Sequence, residues 1–135
     1  IDALAMMLVQ DPTQFDVIVT NNLFGDIITD IGGALQGGLG MAASANLHPG
    51  RTSMFEPVHG SAPPLAGRDE ANPIGAILSV ALMLESLGRD DDARRIERAV
   101  ESAVRDGAVT RDVGGTLGTQ EAGDAIRERL TQPVI

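Results

Sequence analysis

The run Phe15-Asp16-Val17-Ile18-Val19-Thr20 is short, rich in β-branched residues and almost continuously apolar, and it leads straight into Asn21-Asn22. A half-buried strand alternates apolar and polar residues, whereas a continuous apolar run needs cover on both faces. The pattern therefore predicts a strand of an α/β sheet. Asn21-Asn22 then caps a helix from about Leu23 to Leu35, with Ile27, Ile28, Ile31 and Leu35 on its buried side.

The flanking segments fit this alternation. Residues 1–10 form an apolar helical pattern, stopped by Asp11-Pro12. Because that pattern is already under way at Ile1, the expectation is a piece of a longer protein. Gly32, Gly33, Gly37, Gly38 and Gly40 crowd together, and a crossing between two domains is placed near Gly37-Gly38. Short strands are expected at Gly40–Ala45 and Ser53–Pro57. Asn72-Pro73 starts a nearly all-apolar, central helix over Ile74–Leu87, closed by Gly88. Asp90 is expected to cap a charged helix from Asp91 to Asp106, with Ile96, Ala99, Val100 and Val104 as its stripe and Gly107 at its end. Thr119 caps a last helix that reaches Leu130.

Composition removes several chemistries from the 135 residues. Cysteine is absent, so disulfides, thiolate metal sites and cysteine nucleophiles are excluded. Every one of the ten cationic side chains is Arg, so this stretch holds no lysine for a Schiff base or a P-loop. The net charge of −9 repels phosphate backbones and anionic surfaces, which argues against nucleic-acid and membrane partners. No apolar run approaches the ~20 residues of a membrane span. A cytoplasmic location is the expectation.

Two places hold residues that can do chemistry. Asp26 and Asp30 stand four apart on the helix after Asn22, which sets their Cβ atoms roughly 5–6 Å apart on one face. No Lys or Arg occurs from residue 1 to 50 to neutralise them. Either the pair sits on a solvated face, or a hard divalent cation such as Mg²⁺ or Mn²⁺ lies between them. Asp2, at the start of its helix, reads by itself as a cap. The second place is His59-Gly60-Ser61-Ala62-Pro63, with the Asn72-Pro73 helix start shortly after it. This is either an ordinary turn or a small-residue loop whose N–H groups receive phosphate oxygens. Asp112 lies in a glycine-rich turn, and His48 reads as a surface residue.

The segment Asn22-Leu23-Phe24-Gly25-Asp26-Ile27-Ile28-Thr29-Asp30 resembles the metal-binding helix of the decarboxylating β-hydroxyacid dehydrogenases, the isocitrate/isopropylmalate dehydrogenase family. Phe55-Glu56-Pro57-Val58-His59-Gly60-Ser61-Ala62-Pro63, followed by Ala71-Asn72-Pro73, resembles that family's cofactor loop. Asp112-Val113-Gly114-Gly115-Thr116 is similar to its C-terminal glycine turn. The resemblance runs along the whole chain, in order.

It implies the C-terminal portion of a two-domain α/β fold. Residues 1–36 would belong to the second, dimer-forming domain, and residues 37–135 to the first, cofactor-binding one. It also implies Mg²⁺ or Mn²⁺ on Asp26, Asp30 and a partner subunit's Asp2, and a homodimer through the helices at 1–10 and 23–36. His59, Gly60, Ser61, Ala62, Pro63, Asn72 and Asp112 would bind NAD. The implied reaction is oxidative decarboxylation of a small hydroxy acid. Isopropylmalate of leucine biosynthesis is the substrate whose enzymes the segments resemble most; isocitrate, homoisocitrate and tartrate or D-malate are the alternatives. A non-catalytic regulatory subunit is a further one. The family's Lys base and Tyr acid have no counterpart in this chain, so the fragment alone is expected to be inactive. At Pro64-Leu65 the chain matches neither the Asp of NAD-using members nor the Lys-Tyr of NADP-using ones. Asp69 and Glu70 are candidates to replace the missing carboxylate.

Overall fold

The computed structural model describes residues 1–131; the last four residues of the 37–135 portion lie outside the described residues. Helix α1 (Asp2–Gln10) packs on α2 (Asn22–Leu35), and the chain then enters an antiparallel pair, β1 (Ala43–Asn46) with β2 (Met54–Pro57). Helices α3 (Ile74–Ser86), α4 (Asp90–Arg105) and α5 (Thr119–Thr131) complete the order. In the β1–β2 register Ala43 faces Pro57 and Asn46 faces Met54.

The core lies within residues 74–126, where Ile74, Ala99, Val100, Ala103, Val109 and Ile126 bury one another. As its all-round apolar sequence predicts, α3 is central: it packs on β1, β2 and α4. Its first turn comes so close to the strand region that Gly75 has no room for a side chain, with Ala42 and Gly40 carbonyls 3.1 Å from where a Cβ would stand. Gly88 and Gly107 follow α3 and α4 in the left-handed conformation expected of them, φ 72° and 71°.

Several local expectations change. Residues 15–20 join no ladder among the described residues, and Val17 and Val19 are exposed. A strand exists only with a hydrogen-bonding neighbour, and the apolar run has none among the described residues. Residues 39–41 make a 3₁₀ turn, so the first strand starts at Ala43 rather than Gly40. On α2 Ile28 is buried and Ile31 half-buried, but Ile27 (50% exposed) and Leu35 (45%) are uncovered. Similarly, Val104 at the end of the α4 stripe is exposed, while Ala93 and Ala103 are buried in its place.

The helix starts also shift. Asp90 is the first residue of α4, and Arg89 stands at the cap, so three consecutive Asp residues fill the first turn where the helix dipole favours them. Thr119 is likewise inside α5, not ahead of it. Among the described residues no helix is long and apolar enough to cross a membrane.

Candidate functional site

Asn21 opens α2 by accepting a hydrogen bond from the Phe24 amide at 3.1 Å, which fixes where the helix begins and hence which face it turns outward. That face carries Asp26 and Asp30. Both line a cleft of about 840 Å³, whose other wall is formed by β1, β2 and the turn after β2. Asn22 lies one turn ahead, and its Nδ2 donates to Asp26 Oδ2 at 3.1 Å, orienting that carboxylate without neutralising it.

His59 and Gly60 stand on the opposite wall. The His59 ring Nδ1 lies 2.9 Å from the Gly60 carbonyl, and Val58 anchors the start of this loop by donating to the Ala42 carbonyl at 3.1 Å. Beyond it the chain turns sharply: Ala62 has φ 42°, a left-handed conformation few side chains adopt, and Pro63–Leu65 form a 3₁₀ turn. Ser61, Ala62 and Pro63 are exposed and do not line the cleft.

Glu56 also reaches the cleft, a residue that motif matching alone did not single out. The signal for it was strand alternation: on β2 Phe55 and Pro57 are half-buried, while Met54 and Glu56 face outward. The cleft is thus lined by Asp26, Asp30 and Glu56, with no Arg or Lys. Such a field draws a cation and repels a carboxylate-bearing substrate unless that cation is present. Oxygen donors of this kind suit Mg²⁺ or Mn²⁺. Within one chain, however, no three His, Asp or Glu side chains among the described residues gather tightly enough to hold a metal by themselves.

Three further expected site residues stand apart from the cleft. Asp2 is at the start of α1, exposed, its Oδ1 accepting from the Ala3 amide at 2.8 Å. That backbone hydrogen bond holds its carboxyl below the usual range. Asn72 and Asp112 face each other instead: Asn72 Nδ2 donates to Asp112 Oδ2 at 2.9 Å, and Asn72 Oδ1 caps α3 through the Ile74 amide at 2.9 Å. Thr110 donates to the other oxygen of Asp112. Asp69, a candidate for the ribose carboxylate, instead points Oδ1 at the Gln120 amide, 3.0 Å away.

The fold is shared with solved proteins. The fold superposes on isocitrate dehydrogenase from Methylococcus capsulatus with a TM-score of 0.92 at 48% identity, over 97% of this chain and 39% of that one. On a beta-decarboxylating dehydrogenase from Thermococcus kodakarensis the TM-score is 0.81 at 42% identity, over 96% and 38%. The fold is that of the C-terminal portion of isocitrate/isopropylmalate dehydrogenase-like α/β proteins. The isocitrate/isopropylmalate dehydrogenase family model matches residues 1–126, and the chain belongs to that family. It is 54% identical over 132 residues to 3-isopropylmalate dehydrogenase of Rhodococcus opacus (strain B4) and 50% identical over 131 to that of Streptococcus pneumoniae (strain ATCC BAA-255 / R6). It spans 38% of the length of each.

Proposed function

We propose that this chain serves, within a longer cytoplasmic subunit, in the NAD-dependent oxidative decarboxylation of 3-isopropylmalate. The observation that carries the reading is the pairing of Asp26 and Asp30 on one wall of a cation-free cleft opposite His59-Gly60. The identity of 50% or more to enzymes of that name supports the substrate.

In this reading Asp26 and Asp30 hold Mg²⁺ or Mn²⁺, and Asp2 of a second copy completes the ligand set. When bound, the cation supplies Lewis acidity toward the substrate's hydroxyl and carboxylate oxygens, and the dinucleotide supplies the hydride acceptor. Asn22 keeps the Asp26 carboxylate in one orientation. The 59–63 loop presents main-chain N–H groups to the dinucleotide. Asn72 and Asp112 complete that site, held in mutual orientation by the hydrogen bond between them. This chain contains no Lys or Tyr, so proton transfer falls to groups supplied from elsewhere in the subunit, and the 135-residue piece alone is inactive.

The likeness to a solved isocitrate dehydrogenase at 48% identity favours isocitrate as the second reading. Assaying the full-length enzyme on both acids separates the two. In that enzyme Asp26→Asn or Asp30→Asn is expected to weaken Mn²⁺ binding and to lower kcat, each by at least about 100-fold, with an unchanged fold by circular dichroism. Undiminished turnover after exhaustive chelation would overturn the reading.

A further inference from the structure

We propose that Asp69 is a positioning residue for the dinucleotide site: it fastens the far end of the 59–68 loop to the N-terminus of α5 without touching the cofactor. The inference rests on the proposed role of residues 59–63.

The loop is exposed from Gly60 onward and holds little of itself in place. Its own backbone hydrogen bonds reach only three residues: Leu65 to Ala62, Ala66 to Pro63 and Arg68 to Leu65. At one end it is pinned where Val58 donates to Ala42. Among the described residues the next bond to a distant part of the chain comes at Asp69. There the carbonyl accepts from the Thr119 amide and the carboxylate Oδ1 from the Gln120 amide, each at 3.0 Å. Two residues on, Thr119 Oγ1 donates to the Ala71 carbonyl at 2.6 Å.

Both carboxylate oxygens of Asp69 face α5. A Cβ on Gly118 would collide with Asp69 Oδ2, so a side chain there would have to push the carboxylate aside. Asp69 itself takes φ 55°, in the left-handed region. Asp69 thus sets its main-chain carbonyl on the Thr119 amide and its carboxylate on the Gln120 amide, two free amides in the first turn of α5, and together the two bonds form a clamp. On this proposal Asp69 acts through the loop rather than on the ribose.

In the full-length enzyme, Asp69→Ala is expected to raise the KM for NAD about five- to tenfold with kcat within about twofold, as loss of one cap bond dictates. Trypsin should also cut faster after Arg68 in the cofactor-free protein. Asp69→Asn keeps the Oδ1 acceptor and should restore both properties, whereas Gly118→Ala, which displaces the carboxylate, should reproduce the Asp69→Ala behaviour. A raised KM with unchanged tryptic cleavage means that Asp69 touches the cofactor directly, and it overturns the clamp. Unchanged cleavage and unchanged KM overturn it as well. Faster cleavage with an unchanged KM leaves the clamp standing but refutes its role at the cofactor site, and with it the reading of residues 59–63.

Discussion

Asn72 uses its two amide groups in opposite directions, accepting from the Ile74 amide and donating to Asp112 across 40 residues of sequence. With 9% of its surface exposed, it has little water to fall back on. Asn72→Ala removes the cap of the central helix and one of two bonds to Asp112, and should cost about 2 kcal/mol in urea unfolding. Asn72→Asp keeps the cap but sets a second carboxylate against Asp112. It should be no better at neutral pH and recover toward the native value as acid protonates the pair. Such residues were legible from the sequence as far as their local work went: Asn72 as a helix start, and Asp26 and Asp30 as two acids on one face. The long-range half was not. Asp69 reads only as a candidate to replace the missing carboxylate, because its partner, Gln120, lies 51 residues away. Nothing in residue type announces a positive φ at Ala62 either, since alanine normally avoids it.

Helices were more visible than strands because a helix satisfies its own backbone, and its period is written in one contiguous segment. All five appear within a residue or two of where periodicity put them. The 15–20 run failed because strand formation depends on a neighbour that local sequence does not describe. Between elements, α4 and α5 are joined by Arg129, which donates to Asp106 at 2.7 Å. That hydrogen bond, with the charge behind it, holds the Asp106 carboxyl below the usual carboxylate range. A depressed folded value means that the contribution is fully present above the unfolded value, near 3.8, and disappears as pH falls through the lower folded one. Arg129→Met should therefore narrow the gap to the native protein as the pH drops below that range. Urea titrations of the full-length protein at neutral and strongly acidic pH check the sign. A gap that widens in acid would contradict it.

At the scale of the molecule the two ends of the chain differ in how much they bury. The core belongs to α3, α4 and α5, whereas α1 and α2 keep Met6, Val9, Leu23, Phe24 and Ile27 in the open, with Leu23 66% exposed. Apolar helices left uncovered in this way call for cover by further protein. A four-helix bundle between two copies would supply it and is the arrangement proposed for the metal site, with Asp2 acting across the interface. One experiment separates an acid lent by the partner from one that acts within its own chain. Full-length subunits carrying Asp2→Ala are mixed with subunits carrying Asp26→Ala and Asp30→Ala, then unfolded and refolded together; each parent alone is inactive. If Asp2 works across the interface, each mixed dimer holds one intact site, built from Asp26 and Asp30 of one subunit and Asp2 of the other. Random pairing makes half the dimers mixed, so about a quarter of the native activity should return. If all three acids served within one chain, every site in the mixture would lack at least one of them, and nothing would return. If the exposed helices pair between two copies, Leu23→Glu, at a residue outside the cleft lining, should split the dimer in sedimentation and abolish activity.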